Sequence, residues 1–461
     1  MTKNMTEGKT LPLLFQFALP LLIGNLLQQT YNLMDAIIVG KILGNDALGA
    51  VNASSSVQFF VLGFCIGVAC GFGIPIAQRF GADDLKGVRE CVFHGAVLTG
   101  VTAVILTIAC AVFCPQILHL LKVTDTLFED AYDYLFVIFL GIPFTLLYNL
   151  LSSILRAVGD SRTPFIFLAI STVLNIGLDF LFILVLQMGC TGAALATIAS
   201  QGVSGILCFF YINRKVPMLH LKHEDYVWNG HTAKMMIVMG VPMGLQYSIT
   251  AIGSMVMQAA NNNLGDLYIS AFAAACKLRQ LAMCPFDAIA TAASTFAGQN
   301  LGAGKMNRIR KGVREGVLID AAYGLLAGVI LFFFGKQMTT MFVSTSEESA
   351  AQILELAGQN LKCAGIFFWS LGFLNSSRMI IQGIGFAGRA MFSGLIEMVI
   401  RITVSIVLVP IFGFNGITIG DPMAWVGAAC YVVPMLIYCL KCSERKLQAI
   451  RMTTQPRIEE E

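Results

Sequence analysis

Long apolar segments separated by short polar ones dominate the chain. A helix that crosses a membrane needs about 20 mostly apolar residues, and twelve segments reach that length. They lie near 14–39, 53–78, 92–113, 131–154, 165–186, 191–212, 235–261, 268–297, 314–335, 352–378, 390–411 and 423–440. The pattern predicts an all-α membrane protein with two six-helix lobes, at 1–212 and 235–440. A linker at 213–234 joins the lobes, and a cytoplasmic tail at 441–461 follows them.

The two halves of the sequence resemble copies of each other. Gln-Arg-Phe-Gly-Ala at 78–82 recurs as Gln-Asn-Leu-Gly-Ala at 299–303, each at the end of the second helix of its half, and Pro20 recurs as Pro242. Because each half holds an even number of helices, both copies cross the membrane in the same direction. Two lobes related by a pseudo-two-fold axis along the membrane normal are therefore predicted, with substrate bound between them.

Composition places the chain in a membrane. Of its 461 residues 56% are hydrophobic and 12% are charged, whereas soluble domains carry about 25% charged residues. Lysine and arginine are concentrated in the loops of one face, and the other face carries Lys41, Lys122 and Lys336. The positive-inside rule then predicts a multi-pass cell-membrane protein with both termini and the linker in the cytoplasm. The net charge of +3 does not indicate nucleic-acid binding.

A few polar residues inside apolar segments point to a binding site. Asn175 and Asp179 lie four residues apart in the fifth segment, and Asp35 lies in the first. An Asp at the centre of a bilayer costs about 2.5–3.5 kcal/mol on insertion scales, so it survives chiefly where it lines a cavity or binds something. We expect Asp35, Asn175, Asp179 and Thr197 to meet as a cation or proton site. The alternative is an interhelical hydrogen bond without ion traffic.

The chemistry of this set suits two ions equally. Carboxylate, amide and hydroxyl oxygens are ligands for a hard cation such as sodium. Two neighbouring carboxylates in a low-dielectric pocket cannot both stay ionised cheaply, so they also suit a proton. These residues do not distinguish sodium from a proton as the bound ion. No metal beyond sodium and no cofactor is expected.

A larger set of motifs resembles the multidrug and toxic compound extrusion (MATE) family across essentially the whole chain. The set comprises Pro20, Asp35, Gly40 and Gly44, the Gln-x-x-Gly-Ala turns at Gln78 and Gln299, Arg156-Ala-Val-Gly-Asp160, Asn175-x-x-x-Asp179 and Gly192-Ala-Ala-Leu-Ala-Thr197. The resemblance implies twelve helices in two lobes and alternating access. It also implies export of amphipathic, often cationic compounds against an inward flow of protons or sodium ions.

The resemblance also assigns site residues. Asp35, Asn175, Asp179 and Thr197 match the N-lobe cation site of some family members. Other members carry acidic residues on the seventh and tenth helices, but this sequence has neither Asp nor Glu around Thr250 and Ser376. The resemblance therefore does not extend to a C-lobe cation site.

Other polar residues within the spans have weaker signals. Gln28, Asn32 and Asp35 form one stripe at helical spacing, which we interpret as cavity lining or interhelical contact. The seventh helix could supply the opposing wall through Gln246, Thr250, Met257 and Asn261. Glu397 and Arg401 lie four residues apart in the eleventh helix and are expected to form an intramembrane ion pair, since pairing lowers the insertion cost of both.

Other functions fit the sequence less well. A lipid or lipid-linked-precursor flippase is the alternative transporter, but it would need a strongly cationic cavity. A membrane enzyme would need a catalytic constellation, and His94 and His119 lie near helix ends, away from Asp35 and Asp179. No phosphate-binding glycine loop is present, so ATP is not an expected ligand. We expect a non-enzymatic exporter that works as a monomer in the bilayer.

Overall fold

The apolar segments fold into twelve helices in a computed structural model that describes residues 4–120, 123, 125–343 and 349–454. The first half contains α1 (Thr10–Ile42), α2 (Asn45–Gly81), α3 (Leu85–Leu120), α4 (Asp125–Leu140 and Ile142–Ala157), α5 (Arg162–Asp179 and Phe180–Val185) and α6 (Gly189–Lys215). The second half contains α7 (Gly230–Asn262), α8 (Asp266–Gly302), α9 (Met306–Thr339), α10 (Ala350–Gly383), α11 (Ala387–Thr403, Val404–Leu408 and Val409–Phe412) and α12 (Phe414–Thr454).

Each predicted span coincides with one of these helices. The main difference is at the C-terminus, where α12 continues to Thr454 instead of ending near residue 440. Its extension packs on the bundle, because Ser443 is buried and Glu444 accepts a hydrogen bond from Arg310 of α9 at 2.6 Å. Lys122 and the tail beyond Thr454 lie outside the described residues.

Two helices, α8 and α10, are less apolar than the others. Within the described ranges nine helices are long and apolar enough to cross a membrane, and α4, bent by 45° at Gly141, makes a tenth. Helices α8 and α10 have comparable lengths of 37 and 34 residues, but they carry charged side chains such as Arg279, Asp287 and Arg378. Arg279 and Arg378 are buried, whereas Asp287 is exposed.

The turns between helices repeat in the two halves. A left-handed backbone occurs at Gly44 before α2 and at Gly265 before α8, and at Gly159 before α5 and Gly385 before α11. A π-helical segment then occurs near the end of both α5 and α11. The same turns and the same π-helical segment thus recur in the same order in the two halves, which confirms the predicted repeat.

Helices α1 and α7 pack on both lobes. The first part of α1 contributes Leu13, Leu14 and Phe17 to the apolar core of the second half, whereas Ile38 and Val39 pack with α4 and α6. Helix α7 does the reverse, with Met236 in a core of the first half and Met257 in that of the second. Each of these two helices thus packs with one part in the first lobe and with another part in the second. Each can therefore transmit movement from one lobe to the other.

Candidate functional site: a polar pocket and an interlobe cleft

The predicted cation residues meet in the first lobe. Asp35 lies near the end of α1, Asp179 directly precedes the π-helical segment of α5, and Thr197 lies near the start of α6. All three positions are in the half of the bundle opposite the chain termini. Asn175 and Asp179 are 1% and 0% exposed. The Tyr31 hydroxyl bonds the Thr197 hydroxyl at 2.9 Å, which ties α1 to α6 one turn from Asp35.

Two tyrosines complete this pocket. The charges of Asp35 and Asp179 act on each other and on both Tyr31 and Tyr134 of α4. The Gln58 side chain of α2 lies close to the Tyr134 hydroxyl. These three residues were not predicted from the sequence. Tyr31 was recognisable, because it lies one helical turn before Asp35 on the same face; Gln58 and Tyr134 gave no such signal.

Several buried polar atoms of the pocket have no hydrogen-bond partner among the residues that the structure describes. They are Oδ1 of Asp35, both side-chain polar atoms of Asn175 and both carboxylate oxygens of Asp179. Buried polar groups are nearly always bonded in folded proteins, so five such atoms around one pocket indicate a ligand position. Four of the five are oxygens, which fit sodium or a proton, the two ions that the sequence left open.

The polar stripe of α1 is exposed on a different face of the helix from its exposed apolar side chains. Gln28 and Asn32 are exposed on one face, whereas Leu19, Ile23 and Leu26 are exposed on another. Helical geometry puts residues 26 and 28 about 200° apart. The apolar face therefore contacts lipid, and the polar face lines a cleft between the lobes.

Helix α8 forms the opposite side of this cleft. None of its large hydrophobic side chains is exposed along its fully described length, and its exposed stripe includes Lys277, Gln280 and Asp287. The helix packs against α1 and α2 of the first lobe, and Asn25 of α1 donates a hydrogen bond to the Cys284 carbonyl at 3.4 Å. An exposed polar stripe beside the other lobe lines the interlobe cleft.

The seventh helix does not supply the wall that the sequence suggested. Gln246 is buried and accepts a hydrogen bond from Gln382 of α10 at 2.6 Å. Met257 lies in the apolar core of the second lobe, Asn261 donates to the Tyr268 carbonyl, and Thr250 is partly exposed. The helical spacing grouped these residues correctly on one face, but that face packs inside the second lobe.

The lobes touch at the end where both termini lie. A Cβ at Gly302 would stand 1.8 Å from the Gln78 carbonyl oxygen, and one at Gly81 would stand 1.9 Å from that of Gln299. The glutamines cross in the same symmetrical way: Gln78 donates to the Gly383 carbonyl at 3.0 Å, and Gln299 donates to the Ala157 carbonyl at 2.8 Å. The repeated Gln-x-x-Gly-Ala motif therefore closes this end of the cleft.

The second lobe contains a buried ion network. Glu397 and Arg401 form the predicted pair at 3.3 Å, and Arg378 of α10 forms a second ion pair with Glu397. Asp421 of α12 accepts from Arg401 and from Arg279 of α8, both at 2.9 Å. Four helices are thus connected by three guanidinium groups and two carboxylates.

This network occupies the counterpart of the first-lobe pocket. The number of residues from Gly385 to Arg401 equals the number from Gly159 to Asn175, so the two side chains correspond in the repeat. In the same way, Arg279 lies as many residues after Gly265 as Gln58 lies after Gly44, so these two side chains also correspond. The second lobe therefore holds fixed cationic groups where the first lobe holds neutral amides.

Carboxylates do approach Ser376, although they come from other helices. Ser376 donates a hydrogen bond to the buried Asp320 of α9, and neighbouring Asn375 donates to Asp287 of α8 at 2.7 Å. Asp287 and Asp320 are far from Ser376 in the sequence, so the residues around Ser376 gave no sign of them.

Comparison with known proteins identifies the family. Residues 20–181 and 242–407 match the MatE family model, one match in each half of the chain. The chain belongs to the MATE family.

Relatives and solved structures agree with this assignment. A probable multidrug resistance protein of Bacillus subtilis, YpnP, is 31% identical over 93% of this chain and 95% of its own length. A crystal structure of a MATE protein in complex with MaL6 superposes with a TM-score of 0.89 at 22% identity, covering 96% of this chain and 100% of the other. An outward-facing multidrug resistance MATE transporter gives a TM-score of 0.89 at 21% identity, over 96% and 98%.

The Arg156 to Asp160 motif of this MATE protein has a structural role. Asp160 is buried and accepts hydrogen bonds from the backbone N–H groups of Arg162 and Thr163, at 3.1 and 3.0 Å, and from the Thr163 hydroxyl at 2.6 Å. These bonds satisfy donors of the first turn of α5, which otherwise lack partners. The motif thereby fixes the start of the helix that carries Asn175 and Asp179.

Proposed function

We propose that this protein is a secondary active multidrug exporter that moves amphipathic, often cationic compounds outward while protons or sodium ions flow inward. The observation that carries the proposal is the first-lobe pocket, where Asp35, Asn175 and Asp179 present five buried polar atoms without partners. A transported ion supplies the missing partner. The name of YpnP, a probable multidrug resistance protein, supports the substrate class.

The proposed orientation follows from charge. The basic loops lie at the end of the bundle that holds both termini, which we assign to the cytoplasm by the positive-inside rule. The crossed contacts of Gln78 and Gln299 lie at the same end. In this state the cleft is closed toward the cytoplasm, and the cation pocket lies in the outer half of the bundle.

Helix α1 is the proposed link between ion binding and lobe movement. Its outer part carries Asp35, whereas its inner part packs in the core of the second lobe through Leu14 and Phe17. Pro20 lies between these parts and has no backbone N–H, which weakens the helix there. Neutralisation of Asp35 and Asp179 by an ion changes the packing of the outer part, and α1 transmits this change to the other lobe.

Coupling is proposed to use the first lobe only. The counterpart in the second lobe already holds Arg401 and Arg279, whose charges are balanced by Glu397 and Asp421. A further cation there would meet fixed positive charges at short range, which is unfavourable at low dielectric. One coupling site per chain follows from this asymmetry, and we propose that the chain works as a monomer.

Lipid flipping, the alternative function, receives less support. A flippase for anionic headgroups needs a strongly cationic cavity, but the exposed stripe of α8 carries one Lys and one Asp at positions 277 and 287. The two charges oppose each other, so this wall has no strong positive potential.

The proposal is tested with purified protein in liposomes. Transport of a cationic dye such as ethidium is measured under an imposed proton gradient, a sodium gradient, or neither. We expect dye movement against its own gradient under one of the two ion gradients, and that gradient identifies the coupling ion. Dye movement that is equal with and without both gradients would contradict secondary active export.

A further inference from the structure

Asp287 is a membrane-embedded carboxylate outside the coupling pocket. It is exposed on the stripe of α8 that faces the other lobe, together with Gln280. A charged side chain in contact with lipid is strongly unfavourable, whereas α8 contacts α1 and α2 and exposes none of its large hydrophobic side chains. Asp287 therefore faces the cleft, within one turn of the contact between Asn25 and Cys284.

The negative charge of Asp287 is not used by the neighbouring arginines. Its Oδ1 accepts a hydrogen bond from Nδ2 of Asn375 at 2.7 Å, and within the described part of the chain it forms no salt bridge. Arg378, which acts on Asp287 electrostatically, is instead paired with Glu397. An amide partner orients the carboxyl group without supplying a counter-charge, so a cationic ligand in the cleft can fill that role.

The surroundings of Asp287 define the chemistry of that ligand. The carboxylate lies about 22 Å along α8 from the closed end at Gly302, at 1.5 Å per residue. Tyr247 of α7 lies within electrostatic range of it and packs against Gly63 of α2, where a Cβ would be 3.3 Å from that of Tyr247. A single carboxylate in the cleft, with the side chain of Tyr247 near it, favours a monovalent cation that carries aromatic groups.

We propose that Asp287, positioned by Asn375, is the contact for the positive charge of the exported compounds and selects lipophilic monocations. This inference rests on the proposed export function and adds a substrate contact to it. It places recognition of substrate on α8 and ion coupling on α1 and α5, in different lobes. Recognition and coupling can then be removed separately.

A matched pair of probes tests the role of Asp287. Binding of tetraphenylphosphonium, a cation, and of triphenylphosphine oxide, its neutral relative, is measured on the purified protein in nanodiscs. We expect Asp287→Asn to raise the Kd of the cation about 10- to 100-fold, the worth of a charge-assisted contact, while the Kd of the neutral probe stays within about twofold. Asp287→Glu should restore most of the cation affinity, and Asn375→Ala should cause a smaller loss.

Two controls separate a specific contact from general electrostatics. Gln280→Ala changes a neutral residue of the same cleft-lining stripe and should affect the Kd of the cation and of the neutral probe alike. Lys277→Gln removes a charge about 15 Å farther along the helix, beyond the Debye length of about 8 Å in physiological salt. It should therefore alter cation binding much less than Asp287→Asn does.

The outcomes distinguish this inference from the proposed function. If the wild-type protein binds and exports the cation and Asp287→Asn does so equally well, the inference is wrong and export stands. Equal weakening of both probes would show a structural role for Asp287 and would also overturn the inference. If the wild-type protein neither binds nor exports either probe, both the inference and the proposed function fail.

Discussion

At the scale of single residues, the coupling pocket depends on hydroxyl groups as well as carboxylates. The Tyr31 hydroxyl joins Thr197 at 2.9 Å and interacts with the charges of Asp35 and Asp179. A neutral hydrogen bond is worth about 0.5–1.5 kcal/mol. The tyrosine thus holds α1 against α6 at the position where the ion must bind.

Replacing Tyr31 by Phe should weaken ion coupling without changing substrate binding. We expect the concentration of coupling ion that gives half-maximal export to rise by up to about tenfold, the equivalent of 1.4 kcal/mol. Tyr132→Phe, on α4 but with its ring stacked on Phe136, is the matched control and should behave as wild type. An unchanged ion dependence in Tyr31→Phe would show that the hydroxyl contributes nothing to the pocket.

The pocket residues were predictable for one physical reason. A carboxylate inside an apolar helix is expensive, so Asp35 and Asp179 stood out in the sequence alone. Their neighbours Gln58 and Tyr134 are common in spanning helices, and only the arrangement of α2 and α4 brings them to the site. Asp421, the partner of Arg401 and Arg279, could not be assigned because spacing along a chain does not show which helices are adjacent.

At the scale of helices, the closed end of the cleft depends on glycines. Gly302 and Gly81 let α8 and α2 approach until the backbone of one touches the other. A methyl group at either glycine would overlap a carbonyl oxygen, and overpacking of this kind costs about 1–3 kcal/mol. The closed state should be sensitive to these two positions.

The substitution Gly302→Ala should shift the protein away from the closed state. We expect a cysteine that replaces Ala77, which is buried between α2 and α8, to react faster with a cytoplasmic thiol reagent when Gly302→Ala is also present, tested in a background without other accessible cysteines. Gly388→Ala is the control, because a Cβ there has no atom within 4 Å. Equal labelling rates in the two double variants would argue against closure by the Gln-x-x-Gly-Ala contacts.

The linker is fixed to α3 by a second set of contacts. Asp225 is buried and accepts from Arg89 Nε at 2.7 Å and from the Lys222 backbone N–H at 2.8 Å. His94, also buried, accepts from the Asn229 backbone N–H at 2.9 Å. Asp225 and Asn229 lie in the segment 213–234, which the sequence identified only as a polar linker, whereas Arg89 and His94 lie on α3.

The contacts of Asp225 predict a pH dependence. Burial raises the pKa of this carboxyl, but the hydrogen bonds from Lys222 and Arg89 and their positive charges outweigh burial and hold the pKa below its ordinary value. A lowered pKa in the folded protein stabilises it above the ordinary value of about 4, and this stability is lost as pH falls through the lowered pKa.

Thermal unfolding of Asp225→Asn checks this sign. The variant should have a lower Tm than wild type, by the same amount at pH 7 and pH 5.5, with the difference narrowing below about pH 4. Glu224→Gln, whose side chain is largely exposed, should change little. A difference in Tm that grew on acidification would contradict the assigned direction.

At the scale of the whole molecule, the two lobes share a fold and differ in charge. Their turns, π-helical segments and crossed glutamine contacts repeat. In the first lobe, oxygens of Asp35 and Asp179 have no hydrogen-bond partner among the described residues. In the second lobe, Glu397 and Asp421 form ion pairs. The number of helices and the repeat were predictable from apolar length and motif spacing. The packing of α1 and α7 on both lobes was not, because chain order does not determine which core a helix joins.

This asymmetry predicts that removing a carboxylate from the second lobe affects stability and leaves ion coupling unchanged. Glu397→Gln breaks a buried ion network and should cost about 3–5 kcal/mol of stability, with the ratio of ions to substrate unchanged in the protein that remains folded. Thermal unfolding and transport stoichiometry are the two readouts. A changed ratio in Glu397→Gln would mean that the second lobe takes part in coupling.

The most direct test of the central claim is substrate-driven ion movement in liposomes. An imposed gradient of a cationic dye should drive protons or sodium ions in the opposite direction through the wild-type protein, detected with a fluorescent indicator of that ion. We expect Asp179→Asn to abolish the ion movement while dye binding persists, and Asp133→Asn, an exposed carboxylate of α4, to behave as wild type. Ion movement through Asp179→Asn at the wild-type rate would contradict coupling by the first-lobe pocket.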